Sequence, residues 1–311
     1  MKPQGSKMWS ACWILAGSAV CAVHSFAAAD AGYSVDASRP ILRVGISESI
    51  AGEVNSIDLR AAVIGWAAEI ARQTGVRIEP TVCTTVQLVQ KIRDHQLDAF
   101  SVNFLEFERV ASYSDREIVV DASERPDGQE YVLLVHQASG LQSLADLRGK
   151  SLLLYQNTRT CLDRAWLDTL LSSAHLGVAD TFMGRLERNA KLSHVVLPVF
   201  FRQTDACIVT RLGYGTLCEL NPQLARQLRI LAVSPKLFPT FMAFQKGTPP
   251  EIKRRFITAV TDLHKSVAGR QALMLFGSTR LVEVDVSMLR ESFELLHAYQ
   301  RIKAKAPSIG Q

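Results

Sequence analysis

Gln96-Leu97-Asp98-Ala99-Phe100-Ser101-Val102 and Gln203-Thr204-Asp205-Ala206-Cys207-Ile208-Val209 are two versions of one pattern. Gln, Asp, Ala and Val coincide at four of the seven positions, and an aromatic residue follows nine residues after each Asp: Phe107 in the first copy, Tyr214 in the second. An acid just ahead of a short apolar run marks the corner where a helix hands over to a buried strand, with the carboxylate accepting backbone N–H groups. Asp98 and Asp205 are therefore expected to be structural, and the recurrence predicts two similar α/β units in one chain.

The flanking sequence extends the pattern. Ahead of the first copy, Ile41–Ile46 reads as a strand. Residues 57–73 read as a helix with Ala61, Ile64, Ala68 and Ala71 on its apolar side, closed by Gly75. Val76–Val82 reads as a second strand, and Thr84 or Thr85 caps a helix running to about His95. Ahead of the second copy, Ser151–Tyr155 is apolar enough to be buried on both faces. Asn157–Thr160 then forms a turn, a helix runs from about Cys161 to Ser173, and Val195–Phe201 is placed on another helix. Such βαβ alternation predicts an α/β protein of two Rossmann-like lobes, with mostly parallel sheets and a hinge between them. The apolar strands Glu130–Val135 and Arg229–Val233 are the natural crossing points. The first lobe is expected at 30–133 plus 234–311 and the second at 134–233. The tail from Pro250 to Lys303 reads as largely helical, with Ile252, Phe256, Val260 and Leu263 on one face.

Residues 1–29 read as a secretory leader: Lys2 and Lys7 first, then an apolar stretch from Trp9 to about Ala22, then the small residues Ala27-Ala28-Ala29. The stretch is too short to span a membrane. Cys21 sits in a poor lipidation context. An exported, periplasmic chain is implied, with 282 residues from Asp30 to Gln311. Loss of two lysines lowers the formal charge from +5 to +3. That mild charge, without a basic run, argues against nucleic acid as a partner and is compatible with a small anion. Cys83, Cys161, Cys207 and Cys218 lack metal spacing, and the sequence leaves open whether any pair forms a bridge. There is no nucleophile elbow, HExxH or phosphate-binding glycine motif, so an enzyme is not expected; neither is a cofactor or metal.

Ser143-Leu144-Ala145-Asp146-Leu147-Arg148-Gly149-Lys150-Ser151 closely resembles the segment that opens the second lobe of type II periplasmic binding proteins. Gln203–Ala206, Asn221–Leu224 and Leu231–Pro235 fit the same family, although the glycine that usually precedes the Asp-Ala pair is absent. The most similar branch binds phosphate, phosphite or phosphonate and is related to the sulfonate-binding proteins. The resemblance covers roughly residues 41–245. It implies a solute-binding protein that closes like a hinged trap on a small anionic ligand and serves the membrane subunits of an ABC importer. The same trap docking on a membrane sensor is the alternative. In the phosphonate branch a Ser/Thr-rich turn starts the first helix of the second lobe. Here Thr158 and Thr160 keep two hydroxyls, while Arg159 and Cys161 depart from the pattern.

Ligands of open α/β sheets lie beyond the carboxyl ends of the strands. Four turns meet that condition: Ser47 and Ser49; Asn103 and Phe104; Asn157, Thr158, Arg159 and Thr160, with Tyr155 just ahead; and Thr210 with Arg211. The turn at 158–160 carries the strongest expectation, because a helix N-terminus, two hydroxyls and a guanidinium all favour an anion. Plain capping of the helix by Thr160, with Asp163 completing a box, is the competing role. Glu48 would meet an ammonium group if it faces the ligand.

Overall fold

The computed structural model describes residues 39–50, 56–122 and 127–305. The expected leader and its Cys21 lie outside the described residues. The chain starts with β1 (Ile41–Ser47), α1 (Ser56–Thr74), β2 (Arg77–Cys83), α2 (Thr85–Arg93), β3 (Ala99–Asn103), the single turn α3 (Phe104–Phe107) and β4 (Ser114–Asp121). It continues through β5 (Tyr131–His136), β6 (Ser151–Tyr155), α4 (Asp163–Ser173), α5 (Ala179–Phe182), β7 (Arg185–Asn189) and α6 (Leu192–Phe200), then β8 (Ala206–Thr210), α7 (Arg211–Leu220), α8 (Pro222–Gln227) and β9 (Leu228–Val233). The last part is β10 (Thr240–Gln245), α9 (Pro250–Asp262), α10 (Val267–Leu275), β11 (Leu281–Asp285) and α11 (Arg290–Lys305).

Two sheets result, with strand orders β11-β4-β10-β3-β1-β2 and β7-β6-β8-β5-β9. The chain passes to the second sheet between β4 and β5 and returns between β9 and β10. Pairing is parallel in β2-β1-β3 and in β7-β6-β8, where helices make the crossovers. The remaining strands pair antiparallel, so both sheets are mixed rather than mostly parallel. Strand β5 pairs along its whole length with β8 and β9, so residues 131–133, assigned above to the first lobe, belong to the second sheet.

The near-repeat has a shared physical cause. β3 lies beside β1 with Ala99 opposite Val44, and β8 lies beside β6 with Ala206 opposite Leu152. The Asp ahead of each strand accepts the N–H of the residue ahead of its partner: Arg43 to Asp98 and Ser151 to Asp205, both at 2.8 Å. Each carboxylate thus ties off a sheet corner whose donor would otherwise lack a partner.

Local signals account for the helices that carry the site. Thr84 caps α2 in a reciprocal box with Gln87. Gly75 closes α1 at a φ of 69°, a left-handed conformation that costs glycine little. The buried side of α1 is Leu59, Val63, Trp66, Ala67 and Ile70. The expected face was different: Ala61, Ile64 and Ala68 are exposed, and Ala71 is half-buried. Both stripes have helical spacing, but the large side chains remove more apolar area from water and so turn inward. Trp66 meets Phe256 of α9 edge-on at 5.8 Å.

The largest apolar cluster runs between the sheets. It joins Phe104, Phe107 and Phe241 of the first to Tyr131, Leu154 and Ile208 of the second, and takes in Trp166 and Leu167 of α4. Helix α11 seals it. Phe293 stacks edge-on against Phe104 at 4.8 Å, while the same helix packs along α4. The C-terminal helix therefore touches both halves.

Candidate functional site

A cleft of about 750 Å³ opens between the carboxyl ends of the two sets of parallel strands. Seven of the expected residues line it: Ser49, Asn103, Tyr155, Asn157, Thr158, Arg159 and Thr210. The other four do not. Ser47 is fully buried behind the wall, Phe104 is fully buried among aromatic rings, and Thr160 is 1% exposed. Arg211 turns away to Glu130, with Nε 2.6 Å from the carboxylate. These four point inward or aside because each satisfies a local packing or hydrogen-bond need. Glu48 is exposed and is not among the lining residues.

The first-sheet wall is closed upon a carboxyl group. Glu106, 3% exposed, accepts from the hydroxyls of Ser47 (2.6 Å), Thr85 (2.5 Å) and Ser49 (2.8 Å), and from the Asn103 N–H (3.1 Å). The Asn103 side chain returns the favour by accepting the Glu106 N–H at 2.9 Å. Ser47, Ser49 and Asn103 thus spend hydrogen bonds inside the protein. No expectation from the sequence included Glu106; the signal available was Asn103 followed three residues later by Glu, a capping-box spacing.

The second-sheet wall carries no such plug. The matching strand-to-helix corner is Thr210, whose hydroxyl accepts the Gly213 N–H at 3.1 Å. Gly213 stands where Glu106 stands in the first half, each eight residues after its Asp. A Cβ at Gly213 would lie 2.9 Å from the Thr210 hydroxyl and 3.0 Å from Leu192, so the glycine permits a close approach there. Leu212, Gly213 and Thr216 of α7 all border the cleft, presenting the first turns of a ten-residue helix and the positive end of its dipole.

The turn at 157–160 holds itself together. Asn157 caps it by accepting the Arg159 N–H at 3.0 Å, and the Thr160 hydroxyl donates to the carbonyls of Tyr155 (2.6 Å) and Asn157 (2.9 Å). The capping box pairs Asn157 with Thr160, not Thr160 with Asp163 as anticipated. Asp163 is instead gripped by both Arg188 nitrogens at 2.8 and 2.9 Å; burial nevertheless raises its carboxyl above the ordinary range. Thr158 and Tyr155 keep their hydroxyls at the cleft.

Among the described lining residues Arg159 is the one charged side chain. It belongs to the second half but reaches the first, pairing with Asp121 at the end of β4 and donating to the Gly277 carbonyl. Its own carbonyl accepts from Gln129 and, at 2.8 Å, from the Tyr131 hydroxyl, which burial keeps protonated well above the usual phenol range. Cys161 also borders the cleft; burial pushes its thiol up to about 12, so it is no nucleophile at neutral pH. All four described cysteines are free. Met274, Phe276 and Gly277 complete the cleft from beyond the region of resemblance and were not foreseen. The arrangement offers hydroxyls, side-chain amides, a helix N-terminus and one guanidinium, a set suited to holding a small oxyanion.

The family model for periplasmic substrate-binding proteins of ABC phosphonate transporters matches residues 52–289. No curated protein matches the chain. Among solved structures, the chain is similar to PhnD1 from Prochlorococcus marinus in complex with methylphosphonate (TM-score 0.58, 14% identity, 84% of this chain and 98% of that one). It is also similar to a binding protein component of an ABC phosphonate transporter from Pseudomonas aeruginosa (0.56, 17%, 88% and 91%). A third similar structure is XAC2383 from Xanthomonas citri bound to ATP (0.57, 17%, 85% and 98%).

Proposed function

The chain belongs to the family of periplasmic phosphonate-binding proteins of ABC transporters, and on that premise we propose that its cleft captures a phosphorus oxyanion against the turn at 157–160. A member of this family binds a small substrate for import and is not an enzyme. The ligand we assign is a phosphonate or phosphate-like group, with Thr158, Tyr155 and the start of α7 donating to its oxygens and Arg159 supplying the charge. The solved relatives with methylphosphonate and ATP carry the same kind of group and support this choice.

The observation that carries the reading is the position of Arg159, a partly buried guanidinium standing among hydroxyls and held across the cleft by Asp121. An anion entering there competes with Asp121 for the same donors. We place the hinge in the two crossings, 122–130 and 234–239, and the divide between lobes with them. Contacts from a ligand to both walls then favour the closed arrangement. The partner is the membrane part of an ABC importer. The test is calorimetry with inorganic phosphate, phosphite, methylphosphonate and methanesulfonate, alongside native mass spectrometry of the purified protein. Saturable binding of a phosphorus oxyanion is expected; binding of none of them, with release of a cationic or neutral solute, overturns the assignment. Co-purification with the permease rather than with a receptor kinase checks the partner.

A further inference from the structure

Behind Arg159 lies a second space that the polar cleft does not explain. At one level of the first sheet, four residues stand side by side: Ile46 opposite Ser101, Ser101 opposite Met242, and Met242 opposite Val119. Trp66 of α1, Leu273 of α10 and Phe276 cover this rung, leaving a cavity of about 100 Å³. Close packing is the rule inside domains, and voids much larger than a water are few. The room exists because Ser101 places a two-atom side chain in a row of larger ones.

The cavity opens only where it meets the cleft. Ile50, Thr158, Arg159 and Phe276 line both spaces. Charge is confined to that mouth and is already matched there: Asp121 pairs with Arg159 and accepts the Ser278 hydroxyl at 2.9 Å. Inward of the pair the walls are chiefly apolar. A group entering from the cleft therefore leaves its charge at Arg159 and must be hydrocarbon beyond it, since burying a polar group without a partner is costly.

We infer that the ligand is an organic oxyanion bearing a short apolar substituent, its head on the 158–159 turn and its tail in the cavity beneath Trp66. This rests on the anion reading above and adds the substituent. The size sets a limit. About 30 Å³ is the share of one water-sized group, so roughly three carbons fit, whereas a cavity of about 150 Å³ is what takes a benzene ring.

The test is a calorimetric series of methyl-, ethyl-, propyl- and phenylphosphonate, repeated with the matching sulfonates. Affinity is expected to rise about fourfold per added methylene up to propyl, and to fall for phenyl. Ser101→Leu, which fills the cavity, is expected to reverse the order so that propyl binds more weakly than methyl. A flat series, or one that declines from methyl onward, overturns the tail pocket while leaving the anion site intact. Failure of every phosphonate and sulfonate overturns the anion site and the pocket together. The series on the unaltered protein decides the matter even if Ser101→Leu does not fold.

Discussion

The two halves share a frame and differ in what stands at one corner of it. In both, an Asp ties the central strand to its parallel neighbour, and a short polar residue, Asn103 or Thr210, caps the helix that follows. In the first half the residue three further on is Glu106, and three hydroxyls and an amide close around its carboxyl. In the second it is Gly213, and the start of the helix faces the cleft. One half carries its own anion; the other offers the equivalent place to a visitor. Identical topology thus supports a one-sided site, in which the second half binds the charge and the first supplies shape.

The largest effect expected from breaking this contrast is on stability. Glu106→Ala strands three hydroxyls and an N–H in a buried wall and is expected to cost about 3 kcal/mol of unfolding free energy, read from the urea midpoint; a change below about 0.5 kcal/mol means the wall reorganises and is no plug. Next comes the charge on the open side. Arg159→Ala is expected to weaken phosphonate binding by about 1.5–3 kcal/mol, the range for hydrogen bonds to charged groups. Asp121→Asn should act in the opposite sense, tightening binding a few-fold by releasing the guanidinium. Calorimetry on the two variants decides, and weakening by both would make Asp121 a support and not a competitor.

A smaller effect separates the two corner aspartates. Burial works to raise the carboxyl of Asp205, but the N–H and hydroxyl of Ser151 outweigh it and hold the group below the ordinary range. The folded state then binds fewer protons than the unfolded one in the window between the two values. The stabilisation is complete above the unfolded value, about pH 4, and drains away as pH falls through the folded one. Asp205→Asn is expected to lose about 1 kcal/mol at neutral pH, and the gap to the unaltered protein should narrow in thermal scans below pH 4; a gap that widens on acidification contradicts the assignment. The smallest expected change is Thr158→Val, which removes one neutral hydroxyl and should weaken phosphonate binding by about 0.5–1.5 kcal/mol with no shift in melting temperature.

Much of the frame was legible because its central strands are uniformly apolar. Ser151–Tyr155 and Ala206–Thr210 stand out against their surroundings, and the repeated Asp marks where each half begins its buried run. Strands β7 and β11 were not legible. They lie at sheet edges, where Arg185, Glu187 and Glu283 face water and break the apolar signal. The site was legible where it follows strand ends. It was hidden where tertiary structure decides: Asp121 reaches Arg159 across the cleft, and Met274 and Phe276 arrive from a segment with no motif. The face of α1 was misread because spacing alone cannot rank two stripes, and side-chain size can.

Helix α11 has a practical consequence. Since the last ordered stretch of chain grips both halves through Phe293 on one side and α4 on the other, these halves cannot part like two hands; they must pivot like tweezers about a greasy joint. Apolar contact weakens on cooling, so the gape of the resting protein should depend on temperature, and a tag fused after Lys305 would tug on the pivot itself.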